Sequence, residues 1–358
     1  RAIHRVSTFR SFPTKAPITP SSLTDPNNYN PALMHVPEGD DQIGLEAALH
    51  VPVLLEPVID GLRPKDQGLY VDATSGAGGH AAAILDRSSP HGRLLALDID
   101  ERAVERVQGR LRAYGDRVTA VQANFRRLLD VVREVDWPSV DGILFDLGFS
   151  TYQLERDGRG LSFQRDEPLD MRFSATSGGP TAYDLLIRLS EEEIVRLLWT
   201  LGEEPASRRI ARAIVARRQE KPVATTGELR SLVHNVVNGR RGQRIDPATR
   251  TFQALRIAVN DELSALEEAL PQATALLAPG ARLAVISFHS LEDRVVKRFI
   301  ARETRSCLCP PELPECRCDH IATLRSITRS PIVATAEELA LNNRARSAKL
   351  RIAEKLVV

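Results

Sequence analysis

"GLYVDATSGAGGHAAAILDRS", residues 68–88, decides how the chain is read. Residues 68–74 form a short apolar run ending in Asp-Ala-Thr, the pattern of a parallel strand covered on both faces. Gly76-Ala77-Gly78-Gly79 follows, and "HAAAILDRS" (80–88) then has the pattern of a helix. A strand, a glycine turn and a helix bring backbone N–H groups to a point that a ligand can approach closely. Taken alone, the loop is as consistent with a plain tight turn as with a ligand cradle. His80 divides in the same way between facing a ligand and merely opening the helix.

The same alternation continues outward. "GRLLALDID" (92–100), "RVTAVQANF" (117–125) and "VDGILFDLG" (140–148) are three more strand patterns. Between them, "ERAVERVQGRLRAYG" (101–115) is a helix with Val104, Val107 and Leu111 on one face, closed by Gly115. Strands alternating with helices predict a doubly wound α/β sheet, which binds ligands beyond the carboxyl ends of its strands. Three features fall at that edge. One is the glycine loop. The second is Asp98, at the end of the second strand, where a carboxylate can accept both hydroxyls of a ribose; Asp100 is the alternative. The third is Asp146 at the end of the fourth strand, which beside Gly148 is also an ordinary turn residue. A ribose suits either NAD or S-adenosylmethionine. Ala81 stands where the third glycine of G-x-G-x-x-G would be, which leans away from an NAD-dependent oxidoreductase.

From 151 to about 250 no buried strand is evident. "SEEEIVRLLWTLG" (190–202), "SRRIARAIVARRQE" (207–220) and "TTGELRSLVHNVV" (225–237) have the patterns of helices, the last with capping-box spacing between Thr225 and Glu228. Residues 151–249 are therefore expected to be a helical insertion between two parts, 46–150 and 250–358, of one α/β domain. In the second part a helix is expected over 260–280, ending at Pro279-Gly280, and a fifth strand over 281–290. "SPIVAT" (330–335) and "AKLRIAEKL" (348–356) are expected to close the sheet. His289, Ser290 and Asp293 follow the fifth strand and are expected to line a pocket, with Ser290 equally a helix cap.

The 358 residues are 42% hydrophobic but only 5% aromatic, so the core must be mostly aliphatic. A net charge of +1 suits neither a DNA-coating nor an acidic protein, so any nucleic-acid contact must be local. Residues 205–250 hold eleven Lys/Arg against three Asp/Glu, including "GRRGQR" (239–244), a candidate for phosphate contacts. Solvated helix faces carry arginine too. Phe149, Tyr152, Phe163 and Phe173 are candidates for stacking on a base. No apolar run approaches the roughly 20 residues that span a bilayer. Residues 1–24 carry three Arg, one Lys and no acid, the composition of a disordered tail or of an organelle transit peptide. Residues 1–45 as a whole are expected to be unstructured. All four cysteines lie in "CLCPPELPECRC" (307–318), which fits a reducing compartment. Cys307, Cys309, Cys316 and Cys318 are candidate zinc ligands, but their C-x-C-x6-C-x-C spacing departs from the C-x2-C knuckle, and free thiols or a disulfide are the alternatives.

"DATSGAGGH" (72–80), "DLGFSTYQ" (146–153), "GRGLSFQRDEPLDMR" (158–172), "ATRTFQALRIAVNDEL" (248–263), "ISFHSLEDRVVKRF" (286–299) and "NNRARSAKLR" (342–351), with "HVPVLL" (50–55), resemble the ribosomal RNA small-subunit methyltransferase H family. The resemblance runs from about residue 50 to the C-terminus. It implies a Rossmann-like class I methyltransferase sheet and transfer of a methyl group from S-adenosylmethionine to N4 of a cytidine in the decoding region of small-subunit rRNA. It also implies a donor site at Gly78, Gly79, His80, Asp98, Phe125, Asp146 and Gln153, with Asp146 catalytic. The implied partner is small-subunit rRNA, within the small ribosomal subunit, and the implied location is the bacterial cytoplasm, with the mitochondrion as the lesser alternative. No membrane is implied, and a homodimer is left open. The prolines that follow the acid in many amino-group methyltransferases are absent from Asp146-Leu147-Gly148-Phe149, which leaves the detailed role of Asp146 open.

Overall fold

The computed structural model describes residues 52–150, 152–153, 158–176, 178–237, 246–310, 313 and 315–357. The expectations for residues 1–45 and for the basic tip at 239–244 lie outside them. The first half runs α1 (Leu55–Leu62), β1 (Leu69–Asp72), α2 (Gly79–Arg87), β2 (Arg93–Asp98), α3 (Glu101–Arg110), β3 (Val118–Gln122), α4 (Leu128–Glu134) and β4 (Val140–Asp146). A helical stretch follows: α5 (Ala182–Arg188), α6 (Glu191–Gly202), α7 (Ser207–Glu220), α8 (Thr226–Val237), α9 (Thr249–Asn260) and α10 (Glu262–Leu276). The chain then returns to the sheet through β5 (Leu277–Ser287), α11 (Ser290–Glu303), β6 (Leu324–Ser326), α12 (Ala336–Leu341) and β7 (Lys349–Lys355).

The seven strands form one sheet in the order β3-β2-β1-β4-β5-β7-β6. All neighbours are parallel except β7, which runs antiparallel to both β5 and β6. This is the Rossmann-like class I methyltransferase sheet expected from the sequence. The strands are apolar on both faces because both faces are covered. Val71, Leu95, Ile143, Phe145, Leu283 and Val285 pack on one face with Val131, Leu266 and Val296 of α4, α10 and α11. Their chain neighbours Tyr70, Leu94, Ala96, Leu144, Ala284 and Ile286 pack on the other with Val58, Ile84 and Val107 of α1, α2 and α3. The two sets alternate because successive strand residues point to opposite faces.

The helical layer has its own core, with Leu186, Ile194, Leu198, Ile210, Leu229 and Leu255 all nearly fully buried. Two of its helices begin with reciprocal capping boxes, Thr181 with Asp184 and Ser190 with Glu193, each satisfying backbone donors that a helix start leaves open. At Gly202 a Cβ would lie 2.5 Å from the Arg250 carbonyl, so only glycine lets α6 and α9 come this close. Among the described residues between 151 and 249 there is no strand, only one bridge from Pro168 to Thr225.

Several boundaries differ from expectation. The helical core runs on through α9 to Leu255, past residue 249. The helix expected over 260–280 starts only at Glu262, because Asp261 takes a left-handed conformation (φ 49°) that separates it from α9. It also ends early: Leu277 pairs with Val140, which puts Pro279 and Gly280 inside β5. The helix expected to reach Gly115 ends at Arg110, and Gly115 sits beyond it at φ 60°. Residues 330–335 are not a strand. They contribute a single bridge, Ile332 to Leu350, next to Pro331, which has no N–H to donate to a ladder. The short edge strand β6 was not expected. No described helix is long and apolar enough to cross a membrane.

Candidate active site

A cavity of about 460 Å³ opens at the carboxyl ends of β1, β2 and β4, between the sheet and the helical layer. Its sheet wall carries Thr74, Gly76, Gly79, His80, Asp98, Asn124, Phe125 and Asp146. Its opposite wall carries Phe149, Tyr152, Phe163, Phe173, Phe252 and Arg256. All four aromatics proposed for base stacking are thus at the cavity.

The glycine loop is shaped from both sides. Ser75 N–H donates to the Leu97 carbonyl (2.8 Å), and Gly76 N–H donates to Asp98 Oδ2 (2.8 Å). Gly79 lines the cavity, and a Cβ there would lie 2.4 Å from Pro52 Cγ, so the segment before α1 could not lie across the loop if any side chain stood at this position. Gly78 plays a different part. It makes the left-handed turn before α2 (φ 77°) and backs onto Val107 and Arg110 of α3 and onto Leu111 just after it, away from the cavity lining.

Asp98 accepts one backbone N–H on each oxygen, from Gly76 and, at 2.9 Å, from Asp100. Burial, and after it the charge of Asp100, push its carboxyl up to about 6 against the hydrogen bonds from Asp100 and Gly76. The two acids named from the sequence differ in position, Asp98 lining the cavity and Asp100 not. Asp100 is fully buried, caps α3 and holds Arg159 (3.2 Å), and it is not part of the cavity lining.

Asp146 is presented by the end of β4, where its N–H donates to Thr74 Oγ1 (2.6 Å). Its Oδ2 lies 3.5 Å from His80 Nδ1, while its buried Oδ1 has no hydrogen-bond partner. Burial, then the charges of Asp72 and Glu292, raise its pKa well above the usual carboxylate range. His80 is buried at the start of α2, with Nε2 2.9 Å from the Val53 carbonyl. A carbonyl only accepts, so Nε2 carries a proton and Nδ1 is the atom turned to Asp146. Asp72, at the end of β1, is 1% exposed, and its carboxyl is pushed up to about 7 by burial and by Asp98. Three carboxylates therefore stand at three adjacent strand ends with little positive charge against them.

Gln153 lines the cavity but its amide is largely engaged. Oε1 accepts from Ser150 N–H (2.9 Å), and Nε2 donates to Asp100 Oδ2 (3.3 Å) and reaches the Phe173 carbonyl at 3.5 Å. It ties the loop after β4 to α3 and to the helical layer. Phe125 stands edge-on to Phe145, with ring centroids 5.6 Å apart, and turns its remaining surface to the cavity.

Of the three residues expected after β5, only His289 reaches the cavity. His289, not Ser290, caps α11, accepting from Glu292 N–H. Ser290 instead donates to Glu203 (3.0 Å), and Asp293 is held by Arg351 (2.7 Å) and by Lys349 (3.6 Å). A charge network at the cavity floor was not anticipated. Arg256 pairs with Glu262 (2.8 Å) and stacks over the Phe149 ring (4.8 Å), while His289 Nε2 lies 3.2 Å from Glu292 Oε1. Burial raises Glu262. It raises Glu292 too, but the hydrogen bond and charge of His289 and the charge of Arg256 bring Glu292 below the ordinary range. Thr74, Asn124 and Asn260 are further polar residues of the lining that sequence reasoning missed.

The basic excess of 205–250 is partly consumed in structure. Arg218 donates to the carbonyls of Leu186, Ile187 and Leu189 at the end of α5, Lys221 pairs with Glu228, and Arg230 pairs with Asp246.

A family model, the MraW methylase family, matches residues 47–356. The chain belongs to the MraW methylase family. Among its curated relatives, the ribosomal RNA small subunit methyltransferase H of Heliobacterium mobile is 50% identical over 309 residues, 86% of this chain and 99% of that protein. The protein of the same name from Thermomicrobium roseum is 50% identical over 86% of this chain and 94% of its own length. A solved rRNA methylase from Streptococcus thermophilus is 13% identical with a TM-score of 0.40, covering 86% of this chain and 99% of that one. The family resemblance in the sequence therefore holds across nearly all of the chain after residue 46.

Proposed function

We propose that this chain transfers a methyl group from S-adenosylmethionine to the exocyclic N4 of a cytidine in the decoding region of small-subunit rRNA, in the bacterial cytoplasm. The observation that carries the reading is Asp146, which lines a cavity of ligand size, has a buried Oδ1 without a hydrogen-bond partner, and stands beside two further carboxylates. The choice of rRNA is supported by the names of the half-identical bacterial relatives.

The cavity fits such a donor. When bound, the donor supplies an electrophilic methyl group on a cationic sulfonium. The Asp98 oxygens each accept one backbone N–H, and an ionised carboxylate offers about four acceptor positions, so two remain for a vicinal diol. Phe125 offers an apolar surface for the adenine. Gly79 and the αL turn at Gly78 hold the loop open, and Gln153 fixes the loop after β4 over it. The raised carboxyls of Asp72 and Asp146 favour a cationic ligand, since an opposite charge within about 4–6 Å restores the ionised form.

The opposite wall suits a base. Phe149, Tyr152, Phe163 and Phe173 provide stacking surfaces for a nucleotide drawn out of an RNA strand. The lone pair of the cytosine amino group is delocalised into its ring. The Asp146 carboxylate, accepting an amino hydrogen, favours the nucleophilic form and disperses the positive charge that develops on nitrogen. Alignment of donor and acceptor in the cavity supplies much of the remaining acceleration.

The test is mass spectrometry of small-subunit rRNA from cells with and without this chain, together with transfer of labelled methyl to small subunits, free rRNA and DNA. The reading expects N4-methylcytidine only when the chain is present, and labelling of small subunits. Unmethylated rRNA, or labelling of DNA alone, rejects it.

A further inference from the structure

The four cysteines stand apart from the cavity. They lie on an excursion that leaves the end of α11 and returns to it. Thr323 N–H donates to the Glu303 carbonyl (2.9 Å), Thr323 Oγ1 donates to Glu303 Oε2 (2.6 Å), and His320 Nε2 meets the Arg302 carbonyl (3.1 Å). Between these anchors, no described side chain joins any of the three hydrophobic cores, which resume only at Leu324. Leu308 and Leu313 are exposed. Apolar burial therefore does not hold this segment in shape.

The thiols come together instead. Cys307 Sγ lies 3.4 Å from Cys316 Sγ and 3.8 Å from Cys318 Sγ, and Cys316 Sγ lies 3.6 Å from Cys318 Sγ. The four sulfurs, Cys309 included, all lie within 4.8 Å of one another, and none is joined in a disulfide. Zinc–sulfur bonds of about 2.3 Å at tetrahedral angles place sulfurs about 3.8 Å apart. Three backbone N–H groups also point at sulfur: Leu308 to Cys318 (3.2 Å), Cys309 to Cys307 (3.3 Å) and Arg317 to Cys309 (3.3 Å). Such donation stabilises thiolates. Each C-x-C pair thus supplies two sulfurs to a common centre, and the two pairs close a loop of the chain around it.

We propose that Cys307, Cys309, Cys316 and Cys318 form a tetrathiolate site for one zinc ion, which staples the segment between α11 and β6. Four thiols lose their protons to solvent as the ion binds, and no oxidation or reduction is involved. A closed four-sulfur site leaves no position for water or substrate, so the ion is structural. The site is remote from the methyl-transfer chemistry and stands or falls separately from it.

The test uses the full chain, untagged and purified under reducing conditions without chelator. Elemental analysis is expected to give about one zinc per chain. The double variant C316S/C318S is expected to lose that zinc while keeping the circular dichroism of the parent and its binding of S-adenosylmethionine. Cobalt(II) added to the chelator-stripped chain is expected to give the visible bands of tetrahedral tetrathiolate cobalt, erased by one equivalent of zinc. Four free thiols without metal, two disulfides by mass, iron in place of zinc, or zinc retained in C316S/C318S each overturns the proposal. The last outcome would move the ion to Glu262, His289 and Glu292, which also converge.

Discussion

The strand ends of the sheet and the helical layer treat carboxylates in opposite ways. At the ends of β1, β2 and β4, Asp72, Asp98 and Asp146 are all raised, mainly by burial and then by one another or by a neighbouring acid. In the helical layer, Asp170, Asp184, Glu193, Glu228 and Asp246 are all lowered, because arginine, lysine, histidine, hydroxyl or backbone N–H partners outweigh burial. The helical layer is electrostatically complete. The sheet wall is short of positive charge, an arrangement that costs stability and that clusters at functional sites. The difference marks the strand ends as the place where the proposed cationic donor would be most favoured.

Breaking the sheet wall should have the largest effect at Asp146. Asp146→Ala is expected to lower turnover about 10²–10³-fold, the loss seen when one group stabilising transition-state charge is removed. Donor binding, measured by calorimetry, should survive. Near-normal turnover would remove Asp146 from the chemistry.

Asp98→Ala should come next. It removes the acceptor proposed for the ribose, and donor affinity should fall about 10–100-fold, the worth of one or two hydrogen bonds to a charged group. Turnover at saturating donor should change less. An unchanged dissociation constant would leave Asp98 a loop-holding residue only.

Asp72→Asn is expected to stabilise the protein, by up to about 4 kcal/mol at pH 8 and by little at pH 4. The folded carboxyl titrates at about 7 against an ordinary 3.8, so the folded state holds its proton more tightly than the unfolded chain. Its contribution is complete below about pH 4 and is lost as the pH rises through 7. Chemical denaturation across that range reads the difference, and a variant that tracks the parent at every pH would show that Asp72 carries no such cost.

The smallest effect should come from the helical layer, with the opposite sign. Asp246→Asn breaks contacts to Arg230 and His234, both well exposed, and should destabilise at neutral pH by about 1 kcal/mol or less. The lowered carboxyl contributes above its ordinary pKa, and that contribution is lost as pH falls, so parent and variant should converge in acid. Equal stability at pH 7 would mean that Asp246 is not held by its partners.

The sheet wall was far more legible in the sequence than the helical one. Apolar runs ending in acids mark β1, β2 and β4 because strand, turn and ligand edge coincide in a doubly wound sheet. That placement put Asp98 and Asp146 at the edge, with Asp100 and an ordinary turn as the alternatives, and only the family resemblance singled out His80. Gln153 was expected at the donor site, and its amide proves to be largely taken up by Ser150, Asp100 and Phe173. The floor network was invisible because Arg256 and Glu262 lie on two successive helices, α9 and α10, and only packing brings them beside His289 and Glu292 at the start of α11. Helix α9 was not read from the sequence, whereas the helix expected to open at residue 260 opens two residues later, after the left-handed Asp261. The cap of α11 was assigned to the serine by residue preference, whereas the extended backbone at His289 turns the imidazole back onto Glu292 N–H.

The central claim is that the sheet wall awaits a cationic methyl donor, and proton linkage tests it most directly. Calorimetric titration of S-adenosylmethionine at pH 6.5, in buffers of differing ionisation enthalpy, counts the protons released on binding. Net release is predicted, because a cation lowers the carboxyls of Asp72, Asp98 and Asp146. Less release is predicted with S-adenosylhomocysteine, which lacks the sulfonium charge, and less in Asp72→Asn. Binding without proton release, or equal release with both ligands, would contradict the account.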